Sequence, residues 1–327
     1  MKLFRLLMIA SALLASAQAQ ETAALLTLDK TIPLANVDGR IDHLAVDVAG
    51  QRLFVAALGN NTVEVVDLKS GKKIQSLSGF AEPQGIVYLP EFDKIFVANG
   101  QDGTCRILDG RSFKTISTVS LGGDADNVRY DEKTKRVYVG YGSGALAALD
   151  AKTGAKLLDI KLAGHPESFR LESGGPRIFV NVPRAGHVAV VDREKGTTIN
   201  TWPLKEAKSN FPMTLDDANH RLFVGCRSPA KVLVCDFSGR MVASVPISRD
   251  TDDLFYDANN QLVYVSCGSG TIEVIKQIDA DNYKTIKTIP TASGARTSLF
   301  IPELKLFCLA VPHHGTQVAE IRIYKTN

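Results

Sequence analysis

The stretch RLFVAALGNNTVEVVDLKSGKKIQSL fills residues 52–77. It holds three short runs rich in Val, Ile, Leu and Phe, broken by GNN and by KSGK. Runs of that length and composition, bounded by Gly, Asn and Ser, read as β-strands joined by tight turns. The opening motif is not unique. RLFVA at Arg52 returns as KIFVA at Lys94, RVYVG at Arg136, RIFVN at Arg177, RLFVG at Arg221, LVYVS at Leu262 and KLFCL at Lys305. The steps are 42, 42, 41, 44, 41 and 43 residues. HLAVDVAGQ, directly upstream of the first copy, supplies one more strand and turn. No stretch after residue 20 sustains a 3.6-residue apolar period.

Four short strands per 40–45 residues is the pattern of a β-propeller blade. The expected fold is therefore an all-β, seven-bladed β-propeller with four antiparallel strands per blade. The last copy stops after AEIRIYK (319–325), one strand short. LLTLDKTIPLAN (25–36) precedes the first blade and reads like the missing fourth strand. Supplying it from the other end of the chain closes the ring and removes two unpaired sheet edges.

With these repeats the chain resembles the secreted bacterial propellers built of 40-residue YVTN-type repeats. IFVN at 178–181 is near the eponymous tetrapeptide, whereas FVAA and FVGC depart from it. The resemblance implies the same architecture and a binding or surface role without an assigned reaction.

Of the 327 residues 45% are hydrophobic and 22% charged, with a net charge of +3. Such a balance suits a globular chain and provides no general basic field for nucleic acid. MKLFRLLMIASALLASAQAQ has a basic start at Lys2 and Arg5, an apolar run from Leu6 to Leu14, and small residues at Ala17 and Ala19. It reads as a signal peptide over residues 1–19, leaving 20–327 as one propeller domain. Its apolar run is too short to span a bilayer, and no later stretch is long and apolar enough to do so. The expectation is a periplasmic or secreted monomer without a membrane span. The five cysteines form no disulfide framework. A bridge between Cys226 and Cys235 is open by spacing, but all five read better as small hydrophobes.

LGGDADNVRYD (121–131) shows where chemistry enters. Polar residues stand at the entrance to the first strand of nearly every blade. Two places before the first core residue come Asp42, Gln84, Asp126, Glu167, Phe211, Asp252 and Arg296. Next come His43, Gly85, Asn127, Ser168, Pro212, Asp253 and Thr297. First strands line the channel of a propeller, so these groups are expected to converge on one rim. Loops joining second to third strands add Asn60, Asn61, Arg184, His187, Arg227, His313 and His314 to that face.

In a polar funnel Arg40, Arg129, Arg170 and Arg296 are expected to pair with carboxylates or phosphates through guanidinium donors. Asp42, Gln84, Asp126, Asn127, Glu167, Asp252 and Asp253 complete the ligand-binding set. His43 and His165 are the groups suited to proton transfer, were the chain an enzyme. A plainer reading competes. Entrance carboxylates often satisfy loop backbone donors, and Asp beside Arg in adjacent blades can form a belt of ion pairs. Variation from blade to blade favours a site, because a belt would repeat one residue type.

No GxSxG, HExxH or CxxC motif is present. GSG at 142–144 and 268–270 joins two strands and opens no helix, so it is no phosphate loop. A single Trp argues against a quinone-dependent dehydrogenase, whose propellers usually carry tryptophan docking motifs. The leading functional expectation is a binding or interaction protein for a small polar ligand, a glycan or a protein partner. The alternative is a lyase or lactonase-type enzyme that uses these His and carboxylates around a divalent metal.

Overall fold

The computed structural model describes residues 25–327, so the signal-peptide segment lies outside the described residues. Seven four-stranded antiparallel sheets form a ring, the seven-bladed propeller expected from the repeats. Blade one consists of Leu44–Asp47, Arg52–Ala57, Thr62–Asp67 and Lys72–Leu77. The first strands of blades two to six are Pro83–Leu89, Ala125–Asp131, Phe169–Leu171, Lys208–Asp216 and Thr251–Asp257. Blade seven combines Thr297–Ile301, Leu306–Val311 and Glu320–Thr326 with the N-terminal strand Leu26–Pro33 on its outside. The closing strand pairs from Leu26 opposite Thr326 to Pro33 opposite Glu320. The ring is sealed between blades seven and one, where the Thr297 hydroxyl donates to the Ile41 carbonyl at 3.2 Å.

Second and third strands read as unbroken apolar runs because both of their faces are covered by neighbouring blades. Arg52–Ala57 buries everything after its first residue, while the outer strand Lys72–Leu77 buries nothing fully. The core is accordingly divided into seven clusters. Each joins two consecutive blades, including blade seven to blade one through Ile321, Ile323, Leu53 and Val55. In six blades the third motif residue faces the next blade: Phe54, Phe96, Tyr138, Phe179, Phe223 and Tyr264. A buried ring of that size contributes roughly 2–3 kcal/mol.

Blade seven breaks the rule. Its second strand begins at Leu306, so KLFCL is offset by one residue from the other copies. A one-residue shift reverses every side chain in a strand. Phe307 therefore turns back onto blade six, 5.5 Å from the Tyr264 ring, and Cys308 takes the forward position.

All five cysteines are buried and free, so Cys226 and Cys235 form no bridge. Burial pushes each thiol up to about 12. No helix among the described residues is long and apolar enough to cross a membrane. The stretch LKEAKSN, which reads as a longer loop, contributes its last three residues to the strand Lys208–Asp216.

Candidate functional site

Carboxylates on the two faces of the ring do different work. At the turns away from the channel mouth, Asp67, Asp109, Asp150 and Asp192 each accept backbone N–H groups from the turn they open, at 2.7–2.9 Å. Those are ordinary turn-capping bonds. At the mouth, Asp42, Asp126 and Asp252 meet side chains instead, and Glu167 accepts no hydrogen bond among the described residues. Asp253 is the exception, accepting the Ser298 backbone N–H of the next blade at 2.9 Å.

The expected single rim is in fact two cavities that share no residue. The upper one, of about 540 Å³, is lined by Arg40, Gln84, Asp126, His165, Glu167, Asp252 and Arg296 from the predicted set. The lower one, of about 260 Å³, is lined by His43, Arg129, Arg170 and Asp253. Asp42 and Asn127 line neither, being buried in the wall. Asn60, Asn61, His187, His313 and His314 lie outside both. Trp202 is packing, its ring centroid 5.3 Å from that of Phe179.

Four lining residues of the upper cavity carried no signal that singled them out, Gly142, Ser143, Pro183 and Phe211, whereas Asp124 opens the DADN stretch that pointed to the mouth. Phe211 holds the repeat position of Asp126 and Asp252, but an apolar residue there gave no polar clue. Its ring lies under the Arg227 guanidinium at 3.8 Å.

The upper cavity has two unlike sides. On blades five to seven, Arg227 reaches Asp252 at 2.6 Å, and Arg296 reaches Asp252 and Asp250 at 3.0 and 2.9 Å. That half is the belt of ion pairs anticipated by the plainer reading. On blades three and four, Asp124, Asp126, His165 and Glu167 have no arginine partner within ion-pair distance among the described residues. His165 Nδ1 lies 2.6 Å from the Gly142 carbonyl and donates to it. Its Nε2 faces Asp124 and Asp126, each at 3.8 Å. One ligand atom from each of Asp126, His165 and Glu167 falls within 4.8 Å of the other two.

Burial pushes the Glu167 carboxyl up, and Asp126 and Asp252 add to it, to about 8 despite His165. Burial pulls His165 down, but Asp126 and the Gly142 carbonyl outweigh it and hold it at about 9. Burial alone would also lower His43; Asp42, 2.6 Å from its Nδ1, raises it to about 9. Burial works against the Asp42 anion as well, yet His43 and Arg40 hold that carboxyl well below the usual range.

The Asp42–His43 pair makes stability depend on pH. A histidine raised on folding stabilises fully below its unfolded value of 6.5, and that contribution disappears as pH climbs through about 9. The loss is on the order of 3 kcal/mol. Asp253, pushed up by burial to about 6, shifts stability in the same direction but at lower pH. The melting temperature is therefore expected to fall between pH 7 and 9.5, and Asp42→Asn should flatten that slope. A flat wild-type profile across that window would remove the charged pair from the account.

No family model matches the chain. Over 254 residues it is 23% identical to THO complex subunit 3 of Arabidopsis thaliana, covering 76% of this chain and 72% of that one. Over 234 residues it is 21% identical to antigen Lp49 of Leptospira interrogans, covering 66% of this chain and 50% of that one. Among solved structures it is similar to a chain of Kuenenia stuttgartiensis hydrazine synthase. The TM-score is 0.76 at 15% identity, over 88% of this chain and 97% of that one. A chain of the mitotic checkpoint complex superposes with a TM-score of 0.79 at 12% identity, over 100% and 99%. At such identities the likeness establishes the fold alone, one that commonly serves as an interaction scaffold.

Proposed function

We propose that the chain is a binding protein whose ligand seats at the channel mouth against Asp126, His165 and Glu167. One observation carries this reading: Glu167 faces a cavity of about 540 Å³ with no hydrogen-bond partner among the described residues. A half-buried carboxyl beside other carboxylates costs free energy unless something donates to it. The fitting ligand is rich in donors: a sugar, an amino sugar or a basic side chain of a partner. The leader-like residues 1–19 and the YVTN-type repeats go with a secreted or periplasmic monomer.

Titration calorimetry with monosaccharides, amino sugars and short basic peptides tests this. At least one class should bind more tightly than about 1 mM, and Glu167→Gln should weaken it at least about tenfold. If none binds, or if the binder ignores both Glu167→Gln and Asp126→Asn, the reading is lost.

A divalent cation is the second reading, favoured by His165. With Nδ1 donating to a carbonyl, Nε2 is left as the ligating nitrogen, the usual outer-shell arrangement of metal-bound histidine. A cation held there would supply the Lewis acid that a lyase or lactonase needs. Stoichiometric metal in protein purified without a His tag would favour this reading over the first.

A further inference from the structure

The lower cavity departs from repeat symmetry in one way. The first-strand residues paired opposite the forward-facing core position of the second strand form one register, and all but Thr214 line the lower cavity. Those residues are Ala45, Val87, Arg129, Arg170, Thr214, Phe255 and Leu299, opposite Phe54, Phe96, Tyr138, Phe179, Phe223, Tyr264 and Cys308. Five blades carry apolar residues or threonine there, and two adjacent blades carry arginine.

Neither arginine has a carboxylate within ion-pair distance among the described residues, unlike Arg40, Arg227 and Arg296 of the upper cavity. Arg129 donates to the Val128 carbonyl at 2.7 Å, to Asn127 at 2.9 Å and, at 3.5 Å, to the Ser168 hydroxyl, and its buried Nε donates to nothing. Arg170 Nε donates to the Met213 carbonyl at 2.9 Å, and its two terminal nitrogens reach no acceptor among the described residues. That pair of Nη groups is the edge that takes a carboxylate two-pronged. The chamber is also lined by Val46, Val87, Phe255 and Leu299, and the Phe255 ring lies 6.0 Å from the Arg170 guanidinium.

We propose that this chamber binds a small organic anion, its carboxylate on Arg129 and Arg170 and its compact apolar body against Val87, Phe255 and Leu299. A volume of about 260 Å³ equals about nine waters at about 30 Å³ each, which sets the size class. Charge agrees. Asp253 is the one carboxylate lining the chamber, and the Asp42 charge is taken up by His43 and Arg40 in the wall. Burial and then Arg129 depress Arg170 to about 9, a mutual repulsion that an anion between the two removes.

The test is calorimetry on the intact chain with benzoate, its neutral isostere benzamide, acetate and inorganic phosphate at matched ionic strength. Benzoate is expected to bind more tightly than about 1 mM, and benzamide at least about tenfold more weakly. Arg170→Gln, which keeps a donor for the Met213 carbonyl, should abolish the difference. Glu167→Gln in the upper cavity should leave it intact, so failure here is separable from failure of the mouth reading. The proposal is overturned if benzoate and benzamide bind alike, if Arg170→Gln changes nothing, or if none of the anions saturates. Preference for phosphate over benzoate would refute the apolar body. The wild-type comparison stands without any variant.

Discussion

A chain lacking residues 1–33 is expected to lose its cooperative fold and to aggregate. Leu26–Pro33 is the outer strand of blade seven, and its apolar residues serve both seams of that blade. Leu26 packs in the cluster shared with blade six; Ile32 packs in the cluster shared with blade one. Losing two such side chains costs roughly 3–6 kcal/mol before any ladder bond is counted. That is a large part of the roughly 5–15 kcal/mol by which domains are usually stable. The cut also bares Glu320–Thr326 as a long unpaired edge, which templates association with other chains. Light scattering and a thermal melt of the truncated chain read the result. A peptide of residues 25–36 added in trans should restore solubility. A sharp melt within a few degrees of the full-length chain would mean that closure is not what holds the ring.

Asp42→Ala should cost about 3–5 kcal/mol in urea unfolding, the usual consequence of stranding a buried partner charge. Asp42 is 1% exposed and lies between Arg40 and the largely buried His43, whose side chain is 15% exposed. The double variant Asp42→Leu/His43→Leu should be milder than the single, because it strands only Arg40, whose side chain is 45% exposed and can be solvated. A single variant within about 0.5 kcal/mol of wild type, the range of ordinary surface changes, would mean that the pair contributes nothing to the fold.

The architecture was legible because its signals repeat. Seven motifs at one period fix the blades, and a short last copy facing a spare N-terminal strand fixes the closure. The offset of Phe307 was legible only as the one-residue gap that the seventh copy needs to align, Arg296 standing nine rather than ten residues before its motif. Nothing within KLFCL itself says which way its side chains turn, and the pairing of Leu306 with Ile301 shows what the gap does. The site was half legible for a similar reason. Position within the repeat says that a side chain belongs to the channel, but says nothing of depth. A strand advances about 3.3 Å per residue. Glu167 and Arg170, or Asp126 and Arg129, three apart in sequence, are thus about 10 Å apart along the axis. They fall in separate chambers, although both read as mouth residues. Asp252 and Asp253 divide across a single peptide bond, at the point where the strand register shifts between Thr251 and Asp253.

The buried sulfurs carry a last consequence. The thiolate is the form that attacks disulfides and oxidants, and in this fold every thiol is kept from ionising near neutral pH. The native ring is thereby indifferent to the glutathione poise of its surroundings. An oxidising milieu acts on these sulfurs chiefly before the chain has folded, so the danger of scrambled bridges belongs to the unfolded chain and ends when the ring shuts.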